Sequence, residues 1–237
     1  MAASPEGVSA AMPATASTAP DRVSLEEYFA LPDVEGPLRE WVAGKVVVHE
    51  LPTSRHQRLA LFLTVLLELF VNLRGAGRVF PAGYPTLLTP EGPVREPDIV
   101  FVAAQHLHRI RAQRLEGPAD LAVEIVSDDS VGRDRAEKFY QYQQAGVREY
   151  WVIDPRPGRE RADFWVLDEA DGRYRAVVVG ADGIYRATVL SGFWVQTEWL
   201  RPDSAPDPLF AFAEVAALPG PVVEALRAAQ ARRPGGA

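Results

Sequence analysis

Between Ser54 and about Arg74, apolar residues return every three or four positions, at Leu59, Phe62, Leu63, Leu66, Leu69 and Phe70. That period places them on one side of a long helix, the side that seeks a core. Ahead of it, Ser24 followed by Glu26 and Glu27 predicts a short capped helix through Ala30. Glu40 to Leu51 reads as two short strands around Ala43-Gly44. From Arg78 the helical period gives way to short runs, Val79 to Tyr84, Pro85 to Leu88 and Asp98 to Val102, with turn residues at Pro90 to Pro93. Leu121 to Ser127 predicts another strand, Arg133 to Ala145 a helix ended by Gly146, and Glu149 to Ile153 a strand closed by Asp154-Pro155. Strand, helix and strand in that order predict a crossover between parallel strands.

The later chain changes texture again. Ala162 to Leu200 alternates as a meander with turns at Asp171-Gly172 and Asp182-Gly183, and Leu209 to Ala217 and Val222 to Arg232 read as helices. The expected architecture is one mixed α/β domain over residues 23–210 with a C-terminal β meander. A tail of Ala, Ser, Pro and Thr over residues 1–22 is expected to be disordered, and residues 211–237 to form a helical tail.

Composition narrows the function classes. The chain has 237 residues and no cysteine, so a disulfide framework and thiolate metal sites are excluded. No basic residue precedes Arg22 and no apolar run approaches a membrane span, so a soluble, cytoplasmic protein is the expectation. The formal charge of −7 works against tight non-specific binding of nucleic acid, so any such surface must be local. Candidates are the basic stretch Gln105 to Arg114, the group Arg55-His56-Gln57-Arg58, and Arg133 with Arg135. Lysine is confined to Lys45 and Lys138, which makes each a pointer to a place where a compact ammonium is needed.

Glu124 carries the strongest chemical signal. It interrupts the apolar strand Leu121-Ala122-Val123-Glu124-Ile125-Val126, and its same-face neighbours Ala122 and Val126 are apolar. Burying a lone carboxylate costs several kcal/mol unless it is paired, protonated or bound to a metal. Asp98, after Pro97, precedes another apolar strand, and two such strands side by side could converge two carboxylates on one hard cation. Taken alone, Pro97-Asp98 is as good a turn as a site. Lys138 and Tyr142 are four apart on one helix face, where an ion pair of Lys138 with Asp134 explains the spacing equally well. Glu40 by spacing alone is a strand-end surface residue, and His56 a residue of its helix's first turn. No Gly-rich phosphate loop, zinc helix or nucleophile elbow occurs. His106 and His108 lack a third zinc ligand nearby, and a phosphate contact is the better expectation for that stretch.

Pro97-Asp98, Glu124-Ile125-Val126-Ser127, Asp134, Lys138, Tyr142 and the run from Gly146 to Pro155 (GVREYWVIDP) together resemble the bacterial Uma-type restriction endonuclease family, within the PD-(D/E)XK nuclease superfamily. The likeness extends from about Ser24 to about Leu209 and takes in Arg39-Glu40-Trp41 and Ser54 to His56. It implies a restriction-endonuclease-like mixed sheet flanked by helices, and hydrolysis of DNA phosphodiester bonds with Mg²⁺ or Mn²⁺. Asp98 and Glu124 would hold the metal, with Glu40 as a third carboxylate, and Lys138 and Tyr142 would complete the catalytic set. The lysine usual two residues after the glutamate is replaced by Val126; the resemblance moves that role to Lys138 on the following helix. Two other classes remain compatible with the residues: a nuclease-fold module that binds nucleic acid without cutting it, and a hydrolase of a smaller phosphoester. Aromatic residues Tyr174, Tyr185, Phe193 and Trp194 are expected either to pack the meander or to build a homodimer interface.

Overall fold

The computed structural model describes residues 22–32, 38–127, 132 and 136–231. Residues 1–21 of the expected N-terminal tail, Asp134, and the pair Arg133 and Arg135 lie outside the described residues. In chain order the helices are α1 (Leu25–Phe29), α2 (Ser54–Arg74), α3 (Lys138–Ala145), α4 (Pro208–Val215) and α5 (Gly220–Ala231). The strands are β1 (Arg39–Val42), β2 (Lys45–Val48), β3 (Gly77–Pro81), β4 (Thr86–Leu87), β5 (Val94–Arg95), β6 (Ile99–Ala103), β7 (Leu115–Glu116), β8 (Leu121–Ile125), β9 (Glu149–Asp154), β10 (Arg161–Asp168), β11 (Arg173–Ala176), β12 (Ile184–Arg186) and β13 (Trp194–Gln196).

Local chemistry explains where these elements start and stop. Ser24 and Glu27 form a reciprocal capping box at α1. Ala43 and Gly44 turn β1 into β2 with φ of 50° and 87°, the doubly positive geometry that matches strand twist. Thr53 accepts the His56 N–H to open α2. Gly146, at φ 85°, closes α3 in the left-handed conformation that an L side chain resists.

A six-stranded sheet in the order β11-β10-β9-β8-β6-β3 forms the centre. Within this sheet, among the described residues, only β8 and β9 pair parallel, and α3 lies in the connection between them, which realises the expected crossover. The sheet is covered on both faces. Leu59, Leu63, Leu66 and Phe70 of α2 cluster with Ile99, Phe101, Leu121, Val123, Ile125 and Trp151. On the other face Ala122, Val126, Tyr150 and Val152 pack with Tyr142 of α3. Each fully buried leucine of α2 contributes on the order of 2 kcal/mol by leaving water. Leu63, wholly buried, is a position where truncation to alanine should cost about 2–5 kcal/mol. By length and hydropathy α2 is the one described helix that could cross a membrane; here its buried positions face the sheet and α4.

A smaller sheet, β2-β1-β5-β4-β7, lies earlier in the chain, and β12 pairs with β13. The expected meander is therefore divided: β10 and β11 extend the central sheet, while β12 and β13 form a separate ribbon. Its aromatics are spent inside the chain. Tyr185 stacks on Phe164 with centroids 3.7 Å apart, and Tyr174, Tyr185 and Phe193 are buried, so these three rings offer no face to a second copy. Trp194, half-buried, packs on Trp199. From α4, Ala211, Phe212 and Val215 enter the same core as α2.

Candidate active site

Asp98 and Glu124 meet because of strand register. β6 and β8 are antiparallel with Ile99 opposite Val123, so Asp98, one residue earlier, lies across from Glu124. Asp98 Oδ2 accepts the Ile125 N–H at 2.6 Å, and Oδ1 lies 3.1 Å from His56 Nε2. Both carboxylates line one cavity of about 510 Å³, with His49, His56, Glu96 and Lys138 also in its wall. The cavity opens beside the carboxyl end of β8, the end of a parallel pair where α/β sheets place their ligands.

Glu124 is 3% exposed and does not stand alone. Lys138 Nζ donates to Oε2 at 2.8 Å and the Tyr142 hydroxyl donates to Oε1 at 2.6 Å. One helical turn separates these two donors on α3, so a single face of the helix clamps both carboxylate oxygens. Burial, then the Glu124 charge, pushes the Tyr142 hydroxyl well above its ordinary pKa, so it remains a donor. Val126, two residues beyond Glu124, packs with Tyr142 in the apolar cluster under α3. The ammonium thus arrives from the helix, not from the strand.

Glu40 proves wholly buried, not a strand-end surface residue. Register pairs Trp41 with Val94, which puts Glu40 opposite Arg95, and Arg95 NH1 donates to Glu40 Oε2 at 2.6 Å. His49 Nε2 lies 3.1 Å from the same oxygen, while Oε1 receives the Glu96 N–H at 3.1 Å and faces Lys138 Nζ at 3.2 Å. Burial opposes ionisation of Glu40, but Lys138, His49 and Arg95 hold its carboxyl well below the usual range. Arg95 continues to Gln141 Oε1 at 2.7 Å and Glu137 Oε1 at 2.6 Å, tying the small sheet to α3. Glu96 is the outlier: burial, then the nearby Glu40 charge, raises its pKa to about 7.

Asp98, Glu124, Lys138, Tyr142 and Glu40 are thus brought together, and His56 joins them. Arg95, Glu96, His49 and Gln141 escaped the sequence reading. Their one signal is the charged pair Arg95-Glu96 immediately before Pro97-Asp98, and only strand pairing reveals that Arg95 faces Glu40. The basic stretch from Gln105 to Arg114 is a different case. Its histidines sit on a short 3₁₀ helix, Ala104–Arg109, and His106 Nδ1 is bound to buried Asp120 at 2.9 Å. Arg109 donates to the Pro118 carbonyl, and Arg111 and Arg114 both pair with Glu116. Much of its charge is thus engaged in contacts within the chain, while His108 and Arg111 remain exposed.

Two carboxylates on one cavity suit a hard divalent cation that keeps several waters and takes its remaining ligands from a phosphate. Among the described residues no group of three or more His, Asp or Glu forms a ready metal cage.

The mixed sheet with helices on both faces makes this a mixed α/β fold. It is shared with the crystal structure of a protein described as a putative nuclease belonging to DUF820, from Anabaena variabilis, with a TM-score of 0.61 at 17% identity, covering 75% of this chain and 97% of that one. The Uma2 family model, described as "Putative restriction endonuclease", matches residues 25–198, and the chain belongs to that family. No curated protein matches the chain.

Proposed function

We propose that the protein is a metal-dependent endonuclease that hydrolyses DNA phosphodiester bonds. The observation that carries this reading is the convergence of Asp98 and Glu124 on one cavity, with the Lys138 ammonium 2.8 Å from Glu124. In this reading Asp98 and Glu124 hold Mg²⁺ or Mn²⁺. The metal, when bound, polarises the phosphate and lowers the pKa of a bound water. Lys138 supplies positive charge beside the developing negative charge of the phosphate, and Glu124 aims it. Tyr142 fixes the other oxygen of Glu124, so that carboxylate enters the site in one orientation. His56 holds Asp98 in the same way.

The sequence-based reading made Glu40 a third metal carboxylate. Glu40 is wholly buried and, unlike Asp98 and Glu124, does not line the carboxylate cavity, so it serves this proposal as the anchor of Lys138 and Arg95. The test is plasmid cleavage with Mg²⁺, Mn²⁺ or EDTA beside an Asp98→Ala control. Metal-dependent cutting that the control loses supports the proposal. DNA binding without cutting under any metal would instead identify a nuclease-fold binding module.

A further inference from the structure

A second cavity, of about 470 Å³, lies next to the first at the carboxyl ends of β8 and β9. Its wall includes Thr53, Ser54, Arg55, Ser127, Arg156 and Arg159. Ser127 also lines the carboxylate cavity, so the two spaces share a wall. Three arginines line it and no carboxylate contributes to the lining, in a chain whose formal charge is −7. The first cavity has the opposite character, with Asp98, Glu124, Glu96 and Glu50 in its wall. The Thr53 hydroxyl already caps the His56 N–H, so attraction for an anion comes from the arginines. Arg156 is aligned by Asp154, whose two oxygens take Arg156 Nε and NH2 at 2.8 Å each. Arg55 NH2 is paired with exposed Asp203.

We infer that this arginine-lined cavity binds a phosphoryl group of the substrate strand next to the one that is cut. The inference rests on the nuclease reading and adds where the strand is held. Arginine is suited to the task because its planar fork meets phosphate oxygens with paired hydrogen bonds. The arrangement also explains how an acidic protein can engage a polyanion: charge is concentrated at one cavity beside the carboxylates instead of being spread over the surface. The same chemistry could come from an internal phosphodiester or from a terminal phosphate.

The test measures fluorescence anisotropy of a short labelled DNA strand, with and without a 5′-phosphate, in EDTA so that no cutting occurs. Arg55→Ala and Arg159→Ala should each weaken binding about ten-fold, the loss typical of one charge-assisted hydrogen bond. Each should also lower the slope of log affinity against log salt by about 1. Arg227→Ala, at an exposed ion pair on α5, serves as the control and should leave both quantities as in the parent. A loss confined to the 5′-phosphorylated strand assigns the cavity to a strand end; an equal loss with both strands assigns it to an internal phosphate. Parent-like affinity and salt slope in both arginine variants, or no binding by the parent, would overturn the inference. Separation from the nuclease reading comes from Asp98→Asn, which should lose metal-dependent cleavage while binding the strand in EDTA at least as tightly as the parent, because a carboxylate that repels phosphate is gone. If the arginine variants bind weakly and the parent never cuts, the cavity assignment stands and the nuclease reading falls.

Discussion

Lys138 Nζ sits between two buried carboxylates, 2.8 Å from Glu124 Oε2 and 3.2 Å from Glu40 Oε1. The relationship links the large sheet, the small sheet and α3 through one ammonium that is 3% exposed. The alternative pairing of Lys138 with Asp134 falls on a residue outside the described ones.

Replacing that ammonium should expose the cost of the enclosure. Lys138→Met keeps most of the volume but leaves Glu124 and Glu40 without their shared cation. Breaking a buried pair in this way costs about 3–5 kcal/mol, so thermal unfolding in EDTA should drop by many degrees. Divalent metal should recover more stability in this variant than in the parent, because the ammonium no longer competes for Glu124 Oε2. A parent-like melting temperature in EDTA would show that the pair is energetically idle.

Asp98→Asn and Glu124→Gln each remove negative charge from the cavity while preserving shape. Plasmid cutting should disappear in both, and the thermal shift produced by Mn²⁺ should shrink with it. The fold should survive, as read by far-ultraviolet circular dichroism. Cutting at the parent's rate by either variant removes that residue from the site.

Glu96 gives a pH-dependent signature. Its pKa is raised to about 7 by burial and by Glu40, against the opposing pull of Arg39 and His49. A carboxyl whose folded pKa exceeds its unfolded value contributes stability below the unfolded pKa of about 4.5. That contribution is lost as pH rises through about 7. Glu96→Gln mimics the protonated form, so it should raise the melting temperature in EDTA at pH above 7 and leave it nearly unchanged near the unfolded pKa. An equal effect at both ends of the range would contradict the assignment.

Glu149 offers a structural prediction far from catalysis. Wholly buried, it accepts from Trp151 Nε1, the Tyr185 and Thr188 hydroxyls, and the N–H groups of Thr188 and Val189. Each buried donor left without a partner costs about 1–3 kcal/mol. Glu149→Ala should therefore cost at least about 3 kcal/mol in urea unfolding, more than typical surface substitutions. A smaller loss would mean that water replaces the carboxylate.

Where local pattern alone governs structure, the chain was legible. The six apolar positions picked out on α2 all face the core, five of them buried and Leu69 partly so. The Glu124 anomaly was legible for the same reason: Ala122 and Val126 put it on a face that packs against α3. The crossover from β8 through α3 to β9 followed from element order and Gly146. Less was visible in the short strands. With two residues each, β4, β5 and β7 have no periodicity to detect, and their pairing depends on partners distant in sequence.

By itself, then, the amino-acid order determined the long helix, the apolar central strands and the carboxylate that does not belong among them, because each depends on neighbours within a turn or a strand. Only the tertiary structure decided what surrounds that carboxylate. Arg95 is 55 residues from Glu40 in the chain, and Lys138 is 14 from Glu124, yet both pairs are in direct contact. Strand register and the docking of α3 create those contacts, and desolvation then makes them matter. The same charges spaced along an exposed chain would be screened by water and salt, whereas inside the fold they must compensate one another or unfold it.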